Sequence, residues 1–291
     1  MSSPTAPIVV GYDRSQESTA AVNWAAAEAA RTHVPLRVAE VFELVIMDRP
    51  SPGKVVPLAA LRTARERGLE TLAASIRQSH PHLQVETVLL EGTPAPELIE
   101  ETSQARMLVL GTRGLGGFGA MILGSVAVQV SAHANCPVVV VPPDTLPTLH
   151  AVRRVVVGVD GSKVSARAID FAFQEAEALD GQVIAVNAWS SPFSTYENGK
   201  GELVFDNAQV RDAAEVLVSE AIAGPRADHP DVKVDIELVP GRPAQVLLHA
   251  AESADLLVVG SRGRGGFTGL LLGSTSHQVL HHAHCPVAIV R

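Results

Sequence analysis

The chain has 291 residues, of which 46% are hydrophobic and 19% are charged, and its formal net charge is −8 at pH 7. The hydrophobic fraction excludes a disordered protein, and the length predicts about two domains. The acidic balance gives no general attraction to nucleic acid or to an anionic membrane. Because the sequence has two cysteines, no long apolar run and no basic N-terminal region, we expect no disulfide framework, membrane span or signal peptide. A soluble cytoplasmic protein is therefore expected.

Short β-branched runs alternate with amphipathic stretches along the first half of the chain. The predicted strands are Ile8–Tyr12, Leu36–Val41, Val85–Leu89, Met107–Leu110 and Val138–Val141. The helices predicted between them are Gln16–Arg31, Leu58–Arg77, Ala95–Ser103 and Ser125–Ala132. A segment with three prolines and no periodicity follows at Pro142–Ala151 and indicates a domain boundary. We predict domains at residues 1–143 and 153–291, joined by a linker at 144–152.

The second half repeats the first at an offset of 147 to 149 residues. Ile8–Ser15 returns as Val155–Ser162, and 17 of the 31 residues of Gly111–Val141 are identical in Gly260–Val290. A period of this length indicates a duplicated domain rather than a solenoid. The strands predicted in this half are Val155–Val159, Val183–Ala188, Val234–Val239, Leu256–Val259 and Val287–Val290.

The alternation of strands and helices defines the predicted fold class. Several strands are apolar without interruption, which is typical of strands buried on both faces of a sheet. We therefore predict an α/β protein of two tandem Rossmann-like domains, of the flavodoxin-like or HUP type. Each domain has a five-stranded, parallel, doubly wound sheet. Ligands of such sheets bind beyond the carboxyl ends of the strands, so the residues that follow each strand are the candidates for function.

A glycine-rich loop follows the fourth predicted strand of each half. Both loops have the pattern G-x2-G-x9-G-S, starting at Gly111 and Gly260. Glycine lets successive backbone N–H groups converge on an anion, and the Gly-Ser that ends each pattern opens a helix whose N-terminus also favours one. The pattern predicts a phosphate site. The alternative is a tight turn in which Ser125 and Ser274 are ordinary helix caps.

The charges of the two loops agree with a phosphate ligand. Arg113 lies in the first loop, Arg262 and Arg264 lie in the second, and neither loop contains Asp or Glu. Gly114–Gly119 also fits the dinucleotide pattern G-x-G-x-x-G, but it follows the fourth strand instead of the first and no acidic residue follows at the required distance. We therefore exclude that interpretation, and the sequence has no P-loop motif.

The Asp that follows the first strand of each half, the paired glycine loops and the closing Cys-Pro-Val segments resemble the universal stress protein family in its tandem two-domain form. The glycine motif is that of the family's ATP-binding subgroup, so the resemblance implies one ATP, with Mg²⁺, in each domain. Asp13 and Val41, and likewise Asp160 and Ala188, would lie along adenine and ribose. The ribose and phosphates would be held by Gly111, Gly114, Gly124, Ser125 and Val126 in the first domain and by Gly260, Gly263, Gly273, Ser274 and Thr275 in the second. Helix N-capping is the alternative role of the two aspartates.

The first half departs from the family's pattern at two positions. Tyr12 is bulkier than the residue that the family tends to have before the strand-end Asp, and Leu115 stands where the second half has Arg264. We therefore expect the first site to bind nucleotide more weakly.

Three further groups of residues have simpler explanations than catalysis. His277, His281 and His284 share one helix face, which is expected to be solvated or to meet a partner rather than to bind a metal. Cys136 and Cys285 are expected to be small buried hydrophobes. The segment Trp189–Phe205 holds four of the 11 aromatic residues, and folding over the nucleotide, contact with a partner and simple packing all stay open.

The resemblance implies an ATP-binding stress-response regulator that acts through nucleotide-dependent conformation or assembly and is not an enzyme. The alternatives are a weak ATPase or an adenylyl- or phosphoryl-transfer enzyme, for which Asp13 and Asp160 are the metal anchors near the loops, and a flavin-binding electron-transfer protein. A homodimer and a regulatory protein are the macromolecular partners that we consider. Nucleic acid and membranes are not expected.

Overall fold

The structure is a computed structural model, and it describes residues 6–43, 57–114, 123–143, 145, 153–189, 207–264 and 272–291. The chain divides into two compact units, unit 1 (Met1–Pro143) and unit 2 (Asp144–Arg291). All but residue 145 of the predicted linker lies outside the described residues.

The described part of unit 1 contains five strands and four helices. The strands are β1 (Ile8–Gly11), β2 (Leu36–Phe42), β3 (Val85–Glu91), β4 (Met107–Gly111) and β5 (Val138–Val141). The helices are α1 (Gln16–Thr32), α2 (Leu58–Ser79), α3 (Pro94–Glu101) and α4 (Ser125–His133). All neighbouring strands are parallel, in the order β3-β2-β1-β4-β5. The strand order reverses between β1 and β4, which makes that crevice the expected place for a ligand.

Unit 2 repeats this arrangement. Its strands are β6 (Arg154–Gly158), β7 (Gln182–Trp189), β8 (Lys233–Pro240), β9 (Leu256–Gly260) and β10 (Val287–Val290). Its helices are α5 (Lys163–Ala178), α6 (Asn207–Asp228), α7 (Pro243–Ala250) and α8 (Ser274–His282). The parallel order is β8-β7-β6-β9-β10, with the reversal between β6 and β9.

The core of each unit is built from β-branched strands and small helical residues. Every residue of β1, β5 and β10 is buried, as expected for strands covered on both faces. On α1 the face toward the sheet carries Ala21, Val22, Ala25 and Ala29, all fully buried. Alanine lets the helix backbone approach the sheet closely, which brings the N-terminus of α1 next to the end of β4.

The structure confirms the predicted fold class. The order 3-2-1-4-5 in each unit is that of the first five strands of the Rossmann arrangement. The predicted helices and strands are all present, with ends that shift by one or two residues. The one change that bears on function is at Tyr12 and Val159, which were predicted to end their strands but follow β1 and β6. No helix in the described ranges is both long enough and apolar enough to cross a membrane.

Candidate functional site

A cavity of about 650 Å³ opens in unit 1 at the carboxyl ends of β1 and β4. This volume falls in the range of small-molecule sites, roughly 300–1,000 Å³. The seven residues that the sequence predicted for the first domain all line it: Asp13, Val41, Gly111, Gly114, Gly124, Ser125 and Val126. They come from the ends of three strands and the start of one helix, so the fold brings together residues that are as much as 113 positions apart in the sequence.

The N-terminus of α4 faces this cavity without a side-chain cap. Its N-cap residue is Gly124, which has no side chain that could accept a hydrogen bond from the first turn. The first N–H groups of a helix have no partner within the helix, and Ser125, Val126 and Ala127, which carry them, all line the cavity. The N–H of Gly124 donates to the carbonyl oxygen of Thr112 (2.7 Å), which fixes the loop. Free N–H groups and the helix dipole together favour an anion at this point.

Unit 2 has the same arrangement at α8. The N-cap is again a glycine, Gly273, which has no side chain to cap the helix, and its N–H donates to the carbonyl oxygen of Ser261 (2.8 Å). Ser274 and Thr275 are the first two helical residues. The alternative in which Ser125 and Ser274 are the caps is therefore wrong, because each serine lies one residue inside its helix.

The glycines of the loop pattern fall into two kinds. A Cβ on Gly111 would lie 2.7 Å from the backbone carbonyl of Glu17, and a Cβ on Gly114 or Gly263 would collide with the carboxylate of Asp13 or Asp160. The fold requires glycine at 111, where the obstacle is backbone, whereas a side chain at 114 or 263 would have to displace the Asp carboxylate. On Gly124, by contrast, a Cβ would be in ordinary contact, 3.4 Å from the oxygen of Thr112, and its φ of −75° suits any residue.

Gly273 behaves like Gly124. A Cβ would lie 3.4 Å from the Cα of Arg262, and the φ of Gly273 is −67°. Packing against the described residues explains neither glycine. Glycine is also favoured where a ligand approaches the backbone closely, so both positions are candidates for a ligand contact.

The two strand-end aspartates accept hydrogen bonds from neighbouring loop residues, and Asp160 joins two loops in this way. Oδ1 of Asp160 accepts the N–H of Ser162 (2.9 Å), and Oδ2 accepts the N–H of Arg264 in the glycine loop (2.9 Å). Oδ1 of Asp13 accepts both the N–H (3.0 Å) and the hydroxyl (2.6 Å) of Ser15. The hydroxyls of Ser15 and Ser162 are the side chains that cap α1 and α5. The aspartates are therefore not the caps themselves, and each one orients a serine that is.

The charges around the cavity of unit 1 include acidic residues that the sequence analysis missed. Glu17, in the first turn of α1, pairs with Arg113 (Nη2 to Oε1, 3.2 Å), and Glu43, which follows β2, lines the cavity. The loop itself contains no acid, but neighbouring elements supply carboxylates. The sequence did contain a signal for Glu17, because it lies two residues after the capping serine and therefore in the first turn of α1.

The remaining candidates are the two cysteines, the histidines of the last helix and the aromatic segment that begins at Trp189. Cys136 and Cys285 are buried, and burial raises the pKa of each thiol to about 12, so both are neutral thiols at ordinary pH. The rings of His277 and His281 lie 4.4 Å apart, and burial, with help from His277 and His282, lowers the pKa of His281. Within the ranges that the structure describes, no group of three or more His, Cys, Asp or Glu could hold a metal ion. The segment after Trp189, residues 190–206, lies outside those ranges.

Comparison with known proteins identifies the family. The sequence profile described as "Universal stress protein family" matches residues 5–142 and again 151–291. The chain belongs to the universal stress protein family. The two matches fall on the two units, as the tandem resemblance predicted.

Relatives support this membership over the full length. A universal stress protein of Mycobacterium tuberculosis is 37% identical over 297 aligned positions, which cover 98% of this chain and 96% of the relative. The crystal structure of a universal stress protein from Archaeoglobus fulgidus covers 98% of this chain and 96% of its own, with a TM-score of 0.66 and 22% identity, and so shows the shared fold. A further crystal structure, of a universal stress protein in complex with cAMP, matches 49% of this chain at 28% identity with a TM-score of 0.39.

Proposed function

We propose that each unit binds one ATP, and that nucleotide occupancy changes the conformation or assembly of a stress-response protein. The observation that carries the proposal is the uncapped N-terminus of α4 beside Gly124, which faces a cavity of suitable volume at the switch point of the sheet. Unit 2 repeats the same uncapped helix and the same sterically unnecessary glycine at Gly273.

The residues present fit such a ligand. The N–H groups of Ser125 and Val126, and of Ser274 and Thr275 in unit 2, would hold phosphate oxygens. In unit 1 the lining of the cavity includes the apolar residues Val41, Ala95 and Leu98, which offer a surface for the base, together with Asp13 and the loop glycines. Ala188 takes the place of Val41 in unit 2. Mg²⁺ would arrive bound to the phosphates and would need few protein ligands, as is usual for this ion.

Binding without rapid turnover agrees with the hydrogen bonds that Asp13 and Asp160 already accept. Both carboxylate oxygens of Asp160 already accept backbone N–H groups, and Oδ1 of Asp13 accepts two donors from Ser15. A weak ATPase or a phosphoryl-transfer enzyme is the second candidate, because Glu43 and Asp13 line the same cavity and phosphoryl transfer needs a metal anchor and a residue that orients the nucleophile. Turnover above about one per second that is lost in Asp13→Asn and Asp160→Asn variants would favour this candidate.

The binding claim is tested by titration calorimetry of the full chain with ATP and Mg²⁺. We expect two sites in the unchanged protein, one in Gly124→Val, one in Gly273→Val and none in the double variant. The backbone at both positions accepts valine, so the variants should fold. Ala213→Val on α6 is the control, because it also introduces a valine and its position is exposed. The absence of any heat of binding in the unchanged protein, or unaltered binding in the double variant, would contradict the proposal.

The regulatory claim needs a separate readout. The oligomeric state should be measured by light scattering, and capture of partner proteins should be compared, with saturating ATP and without nucleotide. We expect a difference that the double valine variant does not show. Identical behaviour of the two forms would leave binding intact but would contradict regulation.

A further inference from the structure

The arginines near the cleft of unit 1 are all paired with carboxylates. Arg113, which lines the cavity, is paired with Glu17. Arg14 follows Asp13 directly, yet its guanidinium bonds both oxygens of Glu40 (3.1 Å each) on β2, and Arg65 of α2 pairs with the same carboxylate. The side chain of Glu40 is only 1% exposed, so it fixes the two arginines firmly.

The backbone of Arg14 has a conformation that is unusual for a residue with a side chain. Its φ is 72°, in the left-handed region that a residue with a side chain rarely adopts. The residue at the same place in unit 2 is Gly161, with a φ of 74°. Gly68 of α2 makes room for the guanidinium, since a Cβ there would lie 3.1 Å from Nη2 of Arg14.

Unit 2 replaces each acidic partner with a neutral residue. Val164 stands where unit 1 has Glu17, and Asn187 stands where it has Glu40, donating instead to the carbonyl oxygen of Val159 (2.7 Å). In sequence, Ser190 corresponds to Glu43. The carboxylates that hold Arg113 and Arg14 in unit 1 therefore have no counterpart at these positions.

Unit 2 also adds a cation. The backbone N–H of Arg264 donates to Oδ2 of Asp160 (2.9 Å), and Nη2 of its guanidinium lies 3.4 Å from the carbonyl oxygen of Gly161. Arg262 makes no ion pair with any described residue. Among the described residues, unit 2 thus sets two arginine charges against Asp160. Unit 1 sets three arginines against four carboxylates, namely Arg14, Arg65 and Arg113 against Asp13, Glu17, Glu40 and Glu43.

A nucleoside monophosphate carries about two negative charges at neutral pH, and each further phosphate adds about one more. Every added charge is repelled by a surplus of carboxylates and attracted by a surplus of arginines. We infer that the two clefts discriminate by the number of phosphates: unit 2 selects nucleoside triphosphates over monophosphates, and unit 1 binds a single-phosphate nucleotide at least as well as a triphosphate. This inference rests on the proposed function and names the class of nucleotide that each cleft prefers.

The test isolates each cleft in the full chain. In Gly124→Val only the cleft of unit 2 can still bind nucleotide, and in Gly273→Val only that of unit 1 can. Each variant is titrated with ATP and with AMP, in Mg²⁺ and again in EDTA. We expect unit 2 to bind ATP about tenfold or more tightly than AMP, and unit 1 to show a ratio of one or below, in both buffers. Equal ATP-to-AMP ratios in the two clefts, or a higher ratio in unit 1, would overturn the inference while leaving the proposed function intact. No binding of either nucleotide to the unchanged protein would overturn both.

A reciprocal exchange tests the cause, with unit 1 isolated by Gly273→Val and unit 2 followed without the valine variants. Glu17→Val should raise the ATP-to-AMP affinity ratio of unit 1, and Val164→Glu should lower that of unit 2, each by about fivefold. Glu86→Val on β3 and Ile236→Glu on β8 are the matched controls, since both change an exposed strand residue by the same charge. In a Trp24→Phe background, Trp189 is the remaining tryptophan and reports on unit 2 by fluorescence. Unchanged ratios in both exchange variants would overturn the inference.

Discussion

Unit 1 and unit 2 repeat one backbone but surround their clefts with different charges. The positions that stay the same are those with a geometric role, namely the strand-end Asp that binds the capping serine, that serine itself and the glycines of the loop. The positions that differ carry charge, such as Glu17 against Val164 and Glu40 against Asn187. Duplication thus preserved the frame of the site while the electrostatics around it diverged.

The largest expected effect on stability comes from substitution of the first glycine of each loop, Gly111 or Gly260. Gly111→Ala would force a Cβ to 2.7 Å from the backbone carbonyl of Glu17, and backbone cannot give way as a side chain can. We expect a loss of about 2–3 kcal/mol in the free energy of unfolding. At Gly260 the first atom met is the side-chain Cγ1 of Val164 at 3.0 Å, so Gly260→Ala should cost less. Denaturant unfolding measures both, and an equal cost would contradict the distinction.

The next effect concerns the buried carboxylate of unit 1. Glu40→Gln removes the charge that faces Arg14 and Arg65, and we expect a loss of about 2 kcal/mol. This figure lies below the range for fully buried pairs because both arginines are about one-third exposed or more. Asn187→Ala in unit 2 removes a single hydrogen bond and should cost about 1 kcal/mol. Thermal unfolding of the two variants provides the comparison, and a larger cost in unit 2 would reverse it.

The buried thiols should behave alike in the two units. The pKa of each is raised to about 12 in the folded chain, so the unfolded chain ionises first as the pH rises. The neutral thiols therefore stabilise the fold fully below about pH 9, and this contribution falls by up to about 1.4 kcal/mol per thiol for each pH unit between 9 and 12. The double variant Cys136→Ala and Cys285→Ala should lose this part of the pH dependence of unfolding. Rapid reaction of either native thiol with a disulfide reagent at pH 8 would contradict the prediction.

The smallest expected effect on stability is that of serine at Gly124 or Gly273, and these variants distinguish a role in folding from a role in binding. Serine is a good N-cap, so Gly124→Ser and Gly273→Ser should be neutral or stabilise the protein without nucleotide by a few tenths of a kcal/mol. The new hydroxyl would occupy an N–H group that we assign to phosphate, so the affinity for ATP should fall in the substituted unit. Melting curves with and without ATP measure both changes. A serine variant that loses stability but keeps its affinity for ATP would show that these glycines serve the fold.

Much of this arrangement follows from the sequence because it depends on local patterns. Continuous apolar runs such as Leu256–Val259 identify buried parallel strands, and the carboxyl ends of such strands meet at one edge of the sheet. Asp13 and the Gly111 loop could therefore be placed together although nearly 100 residues separate them. The exact strand ends could not be predicted from the sequence. The N–H of Tyr12, for example, still donates to the carbonyl oxygen of Ala39 in β2 (2.8 Å) although β1 has ended.

The charge pairs escaped prediction for a different reason. Arg14 and Glu40 lie 26 residues apart, and a lone Arg in a loop gives no indication of which acid it meets. The repeat did contain a signal, since a Gly at 161 opposite Arg14 indicates a left-handed backbone, and loss of that Gly in unit 1 indicates a side chain with a specific role. Comparison of the two halves at positions that differ would have found this cluster.

The most direct test of the central claim is a crystal structure of the full chain at saturating ATP and Mg²⁺. We expect a triphosphate at the N-terminus of α4, on Ser125 and Val126, and a second at α8, on Ser274 and Thr275. Nucleotide bound elsewhere, or both helix N-termini without phosphate at saturating ATP, would contradict the claim.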